Sequence, residues 1–163
     1  MKKICIISDS HGYIDANIIN FFKKSDEVWH AGDIGEINII EKINKHVTLK
    51  AVHGNIDNHL IRKEYPEYIF FYCEEVKVLI IHIGGYPGKY TKKSLELIKK
   101  YKPDVFICGH SHILKVIYDK KFNLMHINPG AIGKYGIHKV QTLITLEVHK
   151  KNILNMKIVE FKK

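Results

Sequence analysis

Short apolar runs alternate with stretches of helical spacing through the first half of the chain. Lys3–Ser8 reads as a buried strand and Ile14–Lys24 as the helix that follows, with Asp15 suited to its positive N-terminal end. Glu27–Ala31 predicts a second strand, Ile37–Asn44 a second helix, and Val47–Val52 a third strand. Three strands with intervening helices predict βαβ units and a parallel layer. The segment YPEYIFFYCEEVKVLIIHIGG predicts two strands turning at Cys73–Glu75. A helix over Lys92–Tyr101 follows, halted by Pro103, and then a strand over Asp104–Cys108.

After His112 the pattern changes. VIYDKKFNLMHIN predicts a hairpin turning at Asp119–Lys121, and the last two apolar runs predict another turning near Lys150–Asn152. The C-terminal part is therefore expected to be antiparallel. A helix-covered mixed sheet with a second β-rich layer gives an α/β fold: two sheets face to face, helices outside. No repeat, low-complexity tract or long linker divides the chain, so residues 1–163 read as a single domain.

Composition narrows the classes. The 163 residues are 45% apolar, enough for one substantial core, and no apolar stretch reaches membrane-span length. The start, MKKICIISDSHG, has too short an apolar run for a signal peptide, so the expected location is cytoplasmic. Cys5, Cys73 and Cys108 are odd in number and widely spaced, which fits buried thiols and no disulfide framework. The net charge is +9, yet the excess is almost all lysine and Arg62 is the only arginine. Specific phosphate and base recognition leans on the guanidinium fork, so nucleic acid is disfavoured as the primary partner. A basic field still attracts small anionic substrates.

Polar clusters end the apolar runs: Asp9-Ser10-His11-Gly12, Gly32-Asp33, Gly54-Asn55-Ile56-Asp57, and Gly109-His110-Ser111-His112, with His82 after VKVLII. Taken singly, each has a plain reading as a helix cap, a turn or a core histidine. Together they sit at one kind of position, in order, about one strand–helix unit apart. An open α/β sheet delivers such strand ends to one edge, where ligands bind. Asp9, His11, Asp33, Asn55, His82, His110 and His112 are metal-ligand types, sufficient for two ions. Mixed oxygen and imidazole donors suit Mn, Fe, Co, Ni or Zn, while Ca prefers oxygen cages. Two divalent ions against two carboxylates leave a residual positive charge that can hold a phosphate. Paired metals also lower the pKa of a shared water toward ~7, so no side-chain nucleophile is needed.

The order DSH, GD, GN, H, GHSH resembles the calcineurin-like metallophosphoesterase superfamily, whose pattern is DxH, GD, GN[H/D], H, GHxH. INPGAIG at Ile127–Gly133 is similar to the small stand-alone phosphodiesterases of the YfcE type. The resemblance implies a four-layer αββα sandwich. It also implies that Asp9, His11 and His112 hold a first metal, that Asn55, His82 and His110 hold a second, and that Asp33 bridges them. Asn128 and Gly130 would border the substrate. Manganese is the favoured cofactor, with nickel, cobalt, iron or zinc as alternatives.

Two departures matter. Ile56 stands where many superfamily members carry a histidine that stabilises charge or protonates the leaving oxygen, a contribution of ~10²–10⁴-fold. Ile83 stands where a glycine often follows the ligand histidine. His59 is the only nearby candidate for a replacement acid. His30 and His53, flanking motif glycines, read as supports of the ligand loops, and Asp57 as a loop-orienting group. His46, His126, His138 and His149 read as surface or packing residues. The expected activity is hydrolysis of phosphodiesters in a small-molecule substrate. A non-catalytic metal-binding scaffold resembling the retromer vacuolar sorting subunit and a nucleic-acid phosphodiesterase are the competing readings. A homodimer is the default assembly.

Overall fold

The computed structural model describes residues 1–163. Strand β1 (Lys2–Ile7) leads to helix α1 (Ala16–Phe22), β2 (Glu27–His30), α2 (Ile37–Asn44), β3 (Thr48–Ala51) and α3 (His59–Glu64). Strands β4 (Tyr68–Cys73) and β5 (Val76–Ile81) form a hairpin, followed by the short strands β6 (Gly85–Tyr86) and β7 (Lys89–Tyr90). Then come α4 (Lys92–Tyr101), β8 (Val105–Ile107), β9 (Lys115–Asp119), β10 (Leu124–Asn128), β11 (Val140–His149) and β12 (Asn152–Lys162).

Two five-stranded sheets result, in the orders β12-β11-β1-β2-β3 and β4-β5-β8-β10-β9. In the first, β1, β2 and β3 run parallel and β11 is antiparallel to β1. In the second, β5, β8 and β10 run parallel, with β4 and β9 antiparallel at the edges. The mixed αββα sandwich expected from the sequence is present. The two C-terminal hairpins are antiparallel, as expected, and they divide between the sheets. The β9–β10 hairpin joins the second sheet, with β10 parallel to β8, while β11–β12 completes the first. Both are hairpins, but pairing across sheets is non-local and leaves no mark on periodicity.

The central strands are apolar without alternation because both of their faces are covered. Ile4 and Ile6 enter the core between the sheets, whereas Cys5 and Ile7 face the helical side. Val78 and Ile80 likewise point inward, and Leu79 and Ile81 point toward α4. Each such fully buried aliphatic side chain contributes roughly 1.5–3 kcal/mol relative to exposure. Trp29 lies between the sheets, edge-on to Phe71 at 5.2 Å, with its indole N–H donating to Glu27 at 2.9 Å. Asp15 caps α1 by accepting from the Ile18 N–H. All three cysteines are free and buried.

This topology fixes where the chemistry lies. The C-terminal ends of β1, β2 and β3 in one sheet, and of β5 and β8 in the other, open onto one end of the sandwich. Every polar cluster singled out in the sequence sits on a loop leaving one of those ends.

Candidate metal centre

Asp9 and His11 leave β1, Asp33 leaves β2, Asn55 leaves β3, His82 leaves β5, and His110 and His112 leave β8. Five of these seven adopt left-handed backbone conformations: Asp9 (φ 54°), His11 (φ 44°), Asp33 (φ 55°), His110 (φ 69°) and His112 (φ 60°). A non-glycine residue there costs of order 1–3 kcal/mol, and such strain concentrates where function over-determines it. Gly32 turns the β2 loop beneath His82; a Cβ on it would fall 2.7 Å from the His82 ring, at a φ of 97°.

The seven side chains converge into two sets. Asp9, His11 and His112 present ligand atoms all within 4.8 Å of one another, and so do Asp33, His82 and His110. Asn55 Oδ1 lies 3.1 Å from His82 Nε2 and 3.0 Å from His110 Nδ1, placing it in the second set. Asp33 Oδ2 stands between the sets, 3.6 Å from His11 Nε2 and 3.2 Å from His82 Nε2. Asp9 Oδ1 is 3.2 Å from His112 Nε2.

The donor atoms fit cations. Asp9 Oδ1 and His11 Nε2 are buried with no hydrogen-bond partner, an arrangement that is costly unless something positive occupies the centre. His82 donates its Nδ1–H to the Ala31 carbonyl at 2.7 Å, which leaves Nε2 as the free lone pair. Burial alone would raise the Asp33 pKa, but hydrogen bonding and charge from His82 and the Ile56 N–H hold it below its ordinary value. Burial likewise depresses His82, and the Asp33 and Asp9 carboxylates outweigh it, raising that imidazole above its usual value. His11 is shifted down by burial.

A support layer holds the ligand loops. Buried Asp57 accepts from the Ile34 N–H (3.1 Å), the Gly35 N–H (2.8 Å) and the Gly54 N–H (2.7 Å), tying the Asp33 loop to the Asn55 loop. Its expected loop-orienting role is thus borne out. His30 accepts at Nδ1 from the Gly32 N–H (3.1 Å) and lies 2.8 Å from Ser10 Oγ, bracing two ligand loops; burial lowers its pKa to about 4. His53 instead places Nδ1 2.8 Å from the Tyr65 carbonyl. Asn128 is buried and donates to the Gly109 carbonyl (2.9 Å) and Ser111 Oγ (3.1 Å), and Gly130 donates to Asn128 Oδ1 (3.0 Å). The pair therefore underpins the His110–His112 loop, with Asn128 also lining a cavity beside His110. His59 is exposed at the start of α3 and lines neither cavity beside the second set.

Three residues stand at the site with no motif to mark them. Arg62 Nε donates to the Asp57 carbonyl (2.7 Å) and its guanidinium to the Gly54 and Asn55 carbonyls (3.1 Å each), clamping the Asn55 loop from below. Its isolation as the only arginine was the available signal. Tyr135 lies over His11, ring centroids 5.1 Å apart, and His138 packs edge-on against His112 at 5.3 Å. No sequence pattern marks that return of the 133–139 loop to the site.

A family model for the calcineurin-like phosphoesterase superfamily domain matches residues 1–151. The chain belongs to that superfamily. A probable metallophosphoesterase of Methanothermobacter thermautotrophicus is 28% identical over 135 residues, covering 78% of this chain and 76% of the relative. Another from Mycoplasma pneumoniae is 30% identical over 137 residues, covering 81% and 80%. Among solved structures, zinc-complexed Vps29 of Entamoeba histolytica superposes with a TM-score of 0.75 at 14% identity, covering 98% of each chain. That likeness is one of fold. Membership of a metal-dependent phosphoesterase superfamily agrees with the donor set assembled above. No helix is long and apolar enough to cross a membrane.

Proposed function

We propose that this chain is a dinuclear-metal phosphodiesterase acting on small phosphodiesters, with manganese the favoured ion. The observation that carries the diester reading is a pair of cavities, each of about 530 Å³, flanking the second ligand set. The first is the more polar and runs along Asn55, Arg62 and Lys93; the second is more apolar, along Tyr86, Ile113 and Lys115. They share Ile83 and Thr91, so a phosphorus centred at the ligands has space for a substituent on either side. A monoester needs only one such space.

Two divalent ions, when bound, supply Lewis acidity toward the phosphoryl oxygens and lower the pKa of a water. Asp9, His11 and His112 would hold one ion, Asn55, His82 and His110 the other, and Asp33 would be common to both. The chain's own contribution is then positional: Asp57 and Arg62 fix the loops, Lys115 favours an anion in one adjoining cavity, and Lys93 in the other is paired with Glu67. Ile56, exposed beside Asn55, can neither donate a proton nor stabilise charge. Leaving groups that depart without protonation, such as aryloxides, are therefore the preferred ones.

The likeness to Vps29 supports a shared fold and carries no binding partner to this chain. A scaffold has no need of a complete ligand set, and here all seven positions are filled. Assays of the metal-loaded protein on bis(4-nitrophenyl) phosphate, 4-nitrophenyl phosphate and an alkyl monoester, across Mn²⁺, Ni²⁺, Co²⁺, Fe²⁺ and Zn²⁺, test the proposal. The aryl diester should be turned over fastest. Preference for the alkyl monoester overturns the diester assignment, and no turnover of any phosphoester overturns the enzyme reading.

A further inference from the structure

His112 turns Nε2 toward Asp9, which leaves its Nδ1 facing away from the ligand cluster. That Nδ1 packs against Gly136. A Cβ built on Gly136 would lie 2.5 Å from His112 Nδ1 and 3.1 Å from His138 Nδ1, so both nitrogens close on the same glycine. The two rings meet edge-on, with centroids 5.3 Å apart and planes at 81°.

The tautomer of His138 follows from its other nitrogen. Nε2 lies 2.8 Å from the Gly133 carbonyl, which can only accept, so Nε2 carries the hydrogen. A neutral imidazole has one N–H, and Nδ1 is then a bare lone pair. That atom is buried and has no hydrogen-bond partner. A histidine that ligates through Nε2 must carry its own hydrogen on Nδ1, and metal-ligating histidines almost always donate that hydrogen to an acceptor. Donor and unsatisfied acceptor thus meet at one glycine, and only a residue without a side chain lets both rings approach it.

We infer that His138 is a positioning residue for His112. Its Nδ1 is the acceptor available to His112 Nδ1–H, and accepting that hydrogen holds His112 in the tautomer that presents Nε2 to the first metal. The chain Gly133 carbonyl, His138, His112 then transmits the geometry of the 133–139 loop to one metal site and not to the other.

Imidazole ¹⁵N NMR tests this in the metal-free wild type, before any substitution. His112 is expected as the Nδ1–H tautomer and His138 as the Nε2–H tautomer. A Zn²⁺ titration followed at His112, and separately at His82 and His110, reads the two sites independently. In His138→Ala, His112 should become a mixture of tautomers, and Zn²⁺ affinity at the first site should fall about 10–100-fold while the second is kept. His138→Gln, whose amide can both donate to the Gly133 carbonyl and accept from His112, should recover most of the loss. The inference is overturned if wild-type His112 is the Nε2–H tautomer. It is also overturned if His138→Ala leaves first-site affinity unchanged, or weakens both sites equally. Because the wild-type spectrum alone can refute it, a poorly folding variant does not shelter it.

Discussion

The Asp33 carboxylate rests so close to Gly54 that a Cβ on Gly54 would fall 2.0 Å from Asp33 Oδ1. The Ile56 N–H donates to the same oxygen at 3.1 Å. The loop after β3 therefore grips one oxygen of Asp33 and leaves the other, Oδ2, to face His11 and His82. Gly54 serves here through its missing side chain, not through a left-handed backbone. Gly54→Ala should push Asp33 off its position and lower metal content at both sites, with little change in far-ultraviolet circular dichroism. Two metals per chain in that variant would show that the contact does not set the Asp33 geometry.

Much of this was legible in the chain because the determinants are local. Continuous apolar runs such as ICII and VLII mark strands buried on both faces, and the polar residues after them mark the functional edge. Helices α2 and α4 lie at their expected limits, Ile37–Asn44 and Lys92–Tyr101. Helix α3 leaves no periodic signal because it is six residues long and buries only Ile61, although Asn58 caps it by accepting from the Leu60 and Ile61 N–H groups. Strands β6 and β7 have two residues each, too few for any periodicity. Arg62 and His138 act through contacts with backbone carbonyls and with a ring far along the chain, which residue type and spacing do not encode.

Arg62 offers a test of the support layer. Its three bonds to carbonyls of Gly54, Asn55 and Asp57 need a planar fork with several donors, which a lysine ammonium on a flexible stem cannot reproduce. Arg62→Lys should weaken metal binding by about 10–100-fold at the second site, where Asn55 would ligate, and much less at the first. Calorimetric titration with Mn²⁺ checks this. Equal affinities in wild type and variant would remove Arg62 from the metal centre.

Glu27 lies at the opposite end of β2 and should affect stability alone. Burial by itself would raise its pKa, but hydrogen bonds from Lys2, Lys50 and Trp29 outweigh it and bring the carboxyl from 4.5 down to about 2. A depressed carboxyl contributes stability above its unfolded pKa and loses it as pH falls through the folded value. Glu27→Gln should therefore cost about 1.5–3 kcal/mol near neutrality, the range for hydrogen bonds to a charged group. The gap between variant and wild type should close as pH drops from 4.5 toward about 2. Urea unfolding across that range measures it; a gap independent of pH would mean that the charge is not what stabilises.

As proposed, Asp33 joins two metal sites into one phosphodiesterase centre. Elemental analysis of Asp33→Asn, alongside its rate on bis(4-nitrophenyl) phosphate, tests it most directly. His11→Ala should deplete mainly the first site and His82→Ala mainly the second. Asp33→Asn alone should deplete both and reduce turnover more than ~100-fold, beyond the effect usual for a group outside the ligand set. Two metals per chain and near-normal turnover in Asp33→Asn would contradict the bridging assignment and the dinuclear reading built on it.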